Sequence, residues 1–142
     1  MKNNFIFVVA IFGASLLMFG CKQATPEVVK SSFKQNFPAV SNVNWSQEDN
    51  EWEAEFKSGD RAASASFTTE GKLIEQEISL QMAELPAPAQ QHLSGQKVKE
   101  IVKATKADGS VCYEVEVGNK EIQFDSTGKL INSPQKAKET KD

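Results

Sequence analysis

Two stretches of this chain alternate apolar and polar residues at the period of a β-strand, and they alternate in the same way. The first is "EWEAEFKSGDRAASASFTTEGKL", residues 51–73; the second is "CYEVEVGNKEIQFDSTGKL", residues 112–130. A period of two places successive side chains on opposite faces of a sheet. Trp52, Ala54 and Phe56 therefore share one face, and Glu51, Glu53 and Glu55 share the other. "GD" at 59–60 reads as a two-residue hairpin loop with Gly first. Closure there pairs Phe56 with Ala63, Ala54 with Ala65 and Trp52 with Phe67, and puts Ser64 and Ser66 beside the glutamates. "GN" at 118–119 closes a second hairpin the same way, pairing Val115 with Ile122 and Tyr113 with Phe124. Each hairpin runs into Phe-x-x-x-Gly-Lys-Leu, a tight turn.

The remaining pattern extends each hairpin into a larger unit. Thr25-Pro26-Glu27 reads as a helix start, with Thr25 as N-cap and Pro26 at the first helical position. Val29, Phe33 and Phe37 recur every four residues along one side, and Pro38 ends that helix near Asn36. A strand at 40–45 leads through "SQEDN", read as a loop, into the first hairpin. The turn at 68–72 leads to a fourth strand at about 73–80. The order then restarts: a short helix within 84–95, with Pro86 near its start, Ala89 and Leu93 four apart and Gly95 as its stop, then strands at 97–106 and 110–117 about an Asp108-Gly109 turn. The fold class expected is α+β: a tandem repeat of one helix plus about four antiparallel strands, with units at about 26–80 and 84–132. The residues after 132, "SPQKAKETKD", lack apolar periodicity and read as a disordered tail.

The N-terminus follows a different rule. Phe5–Phe19 is an uncharged, mostly apolar run of 15 residues behind a single Lys2. That is shorter than the about 20 residues a membrane span needs and suits a signal-peptide core. Leu17-Met18-Phe19-Gly20-Cys21 resembles a bacterial lipobox, which makes residues 1–20 a lipoprotein signal peptide, Cys21 the lipidated N-terminus, and residues 21–25 a short tether. Met18 and Phe19 depart from the usual lipobox residues; the other reading is an ordinary secretory signal with a chance Cys.

Charge narrows the partners. The chain carries 16 Lys and Arg against 19 Asp and Glu, a formal charge of −3, and loss of Lys2 with the leader takes it one further. Nucleic acid, whose phosphates call for a basic surface, is an unsuitable partner. With Cys21 acylated, Cys112 is the only thiol left, so no disulfide within the chain is expected.

The order "FPAVSNVNW" (37–45), "EWEAEF" (51–56), "FTTEGKLIEQE" (67–77), "ELP" (84–86), "YEVEV" (113–117) and "FDSTGKL" (124–130) resembles the PepSY-like, β-lactamase-inhibitor-like domains of bacterial envelope proteins, over roughly residues 26–132. The resemblance implies helices packed on one face of a curved antiparallel sheet. In the inhibitor protein of that architecture the concave face grips a β-lactamase loop. The resemblance supplies no catalytic residues.

Candidate chemistry is sparse. Glu53, Glu55, Glu114 and Glu116 line one sheet face, either as its solvated side or as a surface for a partner. Trp45, at a strand end, is either core or a partner contact. His92 is the only histidine, and zinc would need more His or Cys ligands. Cys112 shares a face with Glu114 and Glu116, whose charges oppose a thiolate. "FDSTGKL" reads as a turn capped by Asp125, with Gly128 supplying a positive φ. The function expected is a non-enzymatic, lipid-anchored envelope domain, facing the periplasm. It acts as a monomer without cofactor and binds a protein or peptide through Trp45, Glu53, Glu55, Glu114 and Glu116; inhibition of an enzyme is one form of that binding. The alternative is a lipoprotein that binds a small ligand or a metal.

Overall fold

A computed structural model describes residues 24–136. The expected signal peptide, Cys21 and the residues beyond 136 lie outside the described residues. The elements are α1 (Glu27–Asn36), β1 (Val43–Glu48), β2 (Glu51–Ser58), β3 (Arg61–Thr68), β4 (Leu73–Ser79), a 3-10 turn (Met82–Glu84), α2 (Ala87–Leu93), β5 (Val98–Lys106), β6 (Val111–Val117), β7 (Lys120–Asp125) and β8 (Leu130–Lys136). The eight strands form one antiparallel sheet in chain order, each pairing with the next. The fold is α+β, with two α-helices and this sheet.

Both expected hairpin registers are present. Phe56 pairs with Ala63, Ala54 with Ala65 and Trp52 with Phe67; Val115 pairs with Ile122 and Tyr113 with Phe124. Gly59 and Gly118 take φ of 63° and 65° at the first loop position, which only a residue without a Cβ adopts at no steric cost. One cross-strand row, Ala63–Ile78–Lys103–Tyr113–Phe124, runs from β3 to β7. It places the apolar sides of both hairpins on the same sheet face.

Both helices cover that face. Val29 and Phe33 of α1 bury themselves against Trp52, Ala54, Phe56, Ala63, Ala65 and Phe67. Phe33 stands edge-on to Phe56 at 5.2 Å and to Phe67 at 6.2 Å, the arrangement that the ring quadrupoles favour. Leu85, Ala89 and Leu93 pack on Ile101, Val115, Ile122 and Phe124.

The Phe-x-x-x-Gly-Lys-Leu turns explain their own repetition. In the first, Gly71 N–H donates to Thr68 O (2.9 Å) and Thr68 N–H to Lys72 O (2.9 Å); in the second, Gly128 N–H donates to Asp125 O (2.9 Å) and Asp125 N–H to Lys129 O (2.8 Å). The φ values are +83° at Gly71 and +85° at Gly128. A Cβ on Gly71 would lie 2.8 Å from Val28 O, and one on Gly128 would lie 2.8 Å from Pro86 Cβ. Each turn thus tucks beneath the start of a helix, and the glycine is required twice over.

The boundaries differ from expectation in four places. Pro26, not Thr25, is the N-cap of α1, and no side chain caps the helix; Thr25 is buried instead. "SQEDN" is not a loop: Ser46–Glu48 continue β1 to a two-residue turn at Asp49 and Asn50, with φ of 48° and 67°. Asp and Asn tolerate that left-handed region better than other side chains, so the turn needs no glycine. The second helix is only Ala87–Leu93, because residues 82–84 wind as the 3-10 turn. β8 continues to Lys136 and so takes in the first residues of the expected tail.

Candidate functional site on the uncovered sheet face

The face opposite the helices is the face of the glutamates. Among the described residues no helix covers it. Two rows cross it in register: Ser46–Glu53–Ser66–Glu75–Lys106, and Asn44–Glu55–Ser64–Glu77–Ala104–Cys112–Asp125. Glu114 stands beside Gln123 and Glu116 beside Glu121 on the same side. Ala104 (0% exposed), Ser64 (3%) and Glu114 (5%) are buried there without a covering helix. Neighbours on their own face stand over two of them: Ser64 bonds Glu77, and Gln123 bonds Glu114.

Burial on this face, with like charges close by, holds protons on several of its carboxyl groups. Glu114 is pushed from 4.5 to about 8, chiefly by burial and then by the charges of Glu77, Glu121 and Glu75. Glu77 is pushed to about 7 by burial and by Glu75, against the Ser64 hydroxyl, which donates to it at 3.3 Å. Burial also raises Glu53, with Glu55 and Glu48 adding repulsion. It raises Glu75 too, opposed by Lys106. Glu100 and Glu121 are raised by burial as well. Polar neighbours satisfy the buried groups: the Gln123 amide donates to Glu114 at 3.3 Å and to Glu121 at 2.9 Å. Lys99 pairs with Glu116 at 2.7 Å. Between β1 and β4 a cleft of about 80 Å³ opens among Glu48, Glu51, Glu53, Ser66, Glu75 and Glu77.

The face presents carboxyl oxygens that can accept hydrogen bonds and, where ionised, attract cations. Among the described residues no three His, Cys, Asp or Glu side chains gather closely enough to hold a metal ion. Cys112 is pushed to about 12 by burial first and Glu114 second, so at neutral pH it is a thiol and not a nucleophile. His92 is exposed on α2, its ring edge-on to Phe124 at 5.4 Å.

The five residues singled out in the sequence do not meet in one site. Glu53, Glu55, Glu114 and Glu116 share the uncovered face. Trp45 lies on the helix-covered side, half-buried, with its ring 5.5 Å from Phe33 and 6.3 Å from Phe67. Glu114 is also not the solvated group that alternation suggests. Glu75, Glu77 and Gln123 are members of this face that the sequence pattern did not single out, while Ser64 stands beside the glutamates as expected. The signal for Glu75 and Glu77 is present in "LIEQEIS", whose two glutamates are spaced to share a face.

No protein-family model and no curated protein sequence matches the chain. Solved structures do. A protein of Bacteroides eggerthii described as a candidate periplasmic protein superposes with a TM-score of 0.74 at 17% identity, covering 80% of this chain and 90% of its own. A DUF2874 family protein from Bacteroides uniformis gives 0.70 at 22% identity, over 75% and 86% of the two chains. A BLIP-like protein from Bacteroides fragilis gives 0.70 at 16% identity, over 84% and 92%. The chain therefore has the BLIP-like fold. At these identities the likeness carries the fold alone.

Proposed function

We propose that this protein is a non-enzymatic domain of the bacterial envelope that binds a protein or peptide partner on its uncovered, carboxylate-lined sheet face. One observation carries the reading: a sheet face left bare of helices, with carboxyl groups crowded together across it. Such crowding lowers stability, and a partner that brings positive charge relieves it. The BLIP-like fold and the periplasmic description of one structural relative support the same setting. The reading includes lipid attachment at Cys21 in a periplasm-facing membrane, PepSY-like family membership, and descent of residues 26–80 and 84–132 from one duplicated unit. Inhibition of an enzyme is one form the binding takes.

The test is affinity capture from native envelope extract with residues 22–142 and with a variant carrying Glu53→Gln, Glu55→Gln, Glu75→Gln and Glu116→Gln. These four positions are only partly buried, so the exchange removes charge and keeps shape. The reading expects specific captured proteins to be lost with the variant and to be eluted by salt from the parent. An identical set retained by both proteins would contradict it.

A further inference from the structure

The two edges of the sheet are built differently. β8 carries Pro134, which has no N–H to offer a neighbour, and its pairing with β7 shifts register twice. Proline and bulges are devices that keep an edge strand from accepting another strand. β1 has neither. It pairs with β2 through six consecutive residues without a shift, Val43↔Phe56 to Glu48↔Glu51. Among the described residues β2 is its only strand neighbour. It is also thinly covered: Asn44, Ser46, Gln47 and Glu48 are exposed.

We propose that the outer edge of β1 accepts an extended segment of a partner protein as a ninth strand, in which basic residues alternate with apolar ones. The alternation follows from the pleat. On the uncovered face the added strand lies beside Asn44, Ser46 and Glu48. Asn44 and Ser46 are short and pair with Glu55 and Glu53 of β2. A Lys or Arg there reaches Glu48 directly and extends over Ser46 toward Glu53. On the helix-covered face the added strand lies beside Val43 and Trp45, both half-buried, and an apolar side chain completes their burial. A second copy of this chain does not satisfy the same edge. Its own β1 would bring Asn44, Ser46 and Glu48 to the acidic face and no cation. The inference rests on the partner-binding role proposed above and names the partner's form and charge pattern.

The experiment uses ¹⁵N-labelled residues 22–142 and the blocked peptide acetyl-KVKVKVK-amide. Two control peptides accompany it: the same sequence N-methylated at alternate residues, and acetyl-EVEVEVE-amide. The expected result is a shift of the amide signals of residues 43–48 and slowing of their hydrogen exchange by about tenfold at saturation. The controls leave these signals unmoved. Glu48→Lys, on the exposed edge, weakens the lysine peptide by about fivefold, and salt weakens it further. Equal binding of the N-methylated peptide overturns the proposal, as does failure of the lysine peptide to bind. Binding that moves only signals of β3 to β6 overturns the edge and leaves the uncovered face as the site. Edge binding together with envelope capture indifferent to the glutamine variant upholds the edge and rejects the face.

Discussion

Glu114→Gln isolates the cost of keeping a buried carboxyl group on the uncovered face. In the unfolded chain this group releases its proton near 4.5; in the folded chain it holds it to about 8. Between those values the native state binds more protons than the unfolded state, so stability falls as pH rises. At about 1.4 kcal/mol per pH unit the gap sets a ceiling of about 5 kcal/mol, and water entering on ionisation brings the realised loss to about 2–3 kcal/mol. Glu77 adds a smaller loss of the same sign up to about pH 7. A glutamine at 114 keeps an oxygen for the Gln123 amide and has nothing to titrate. Urea denaturation of residues 22–142 from about pH 5 to about pH 9 reads the difference. The parent should lose stability across that range, most steeply between about pH 5 and pH 7, and level off through pH 8. The variant should match the parent at the acid end and exceed it by about 2–3 kcal/mol at the alkaline end. Parallel profiles for the two proteins would refute the argument.

Gly71→Ala and Gly128→Ala should each cost about 2–4 kcal/mol by urea denaturation, because a Cβ meets the helix start as well as an unfavourable φ; Gly59→Ala, where nothing lies within 4 Å, should cost about 1 kcal/mol. Phe33→Ala should cost about 3–5 kcal/mol, since its ring, 4% exposed, joins α1 to β2 and β3. Cys112 should react with iodoacetamide at pH 8 at least about a hundredfold more slowly in the native protein than in urea. Equal rates would show that the thiol is neither buried nor opposed by its acidic neighbours.

The hairpins were legible because three constraints coincide there: period-two alternation, a two-residue loop with glycine, and aromatic residues that must land on one face. A slip of one residue would send Trp52 and Phe67 to the wrong side, so the register had a single solution. The "SQEDN" segment was misread because polarity resembles a loop. Its true turn, Asp49-Asn50, needs no glycine to mark it, and an edge strand needs few apolar residues. The site was legible only in part. Alternation assigns a glutamate to a face but not to a place on it: Glu114 lies mid-strand in β6 opposite Gln123 and is buried, whereas Glu51 opens β2 at the turn and stays exposed. Trp45 joins the candidates by its place at a strand end and by the family resemblance, and its side of the sheet is fixed only by the β1–β2 register.

The proposed role requires a partner on the uncovered, carboxylate-lined face. Site-specific photo-cross-linking in the native envelope tests it most directly, with a benzophenone side chain placed at Ser66 on that face or at exposed Gln35 on α1. The account predicts a discrete cross-linked protein from position 66, lost when Glu53 and Glu75 are changed to Gln, and none from position 35. A cross-link from position 35 alone, or the same product from both, would contradict it.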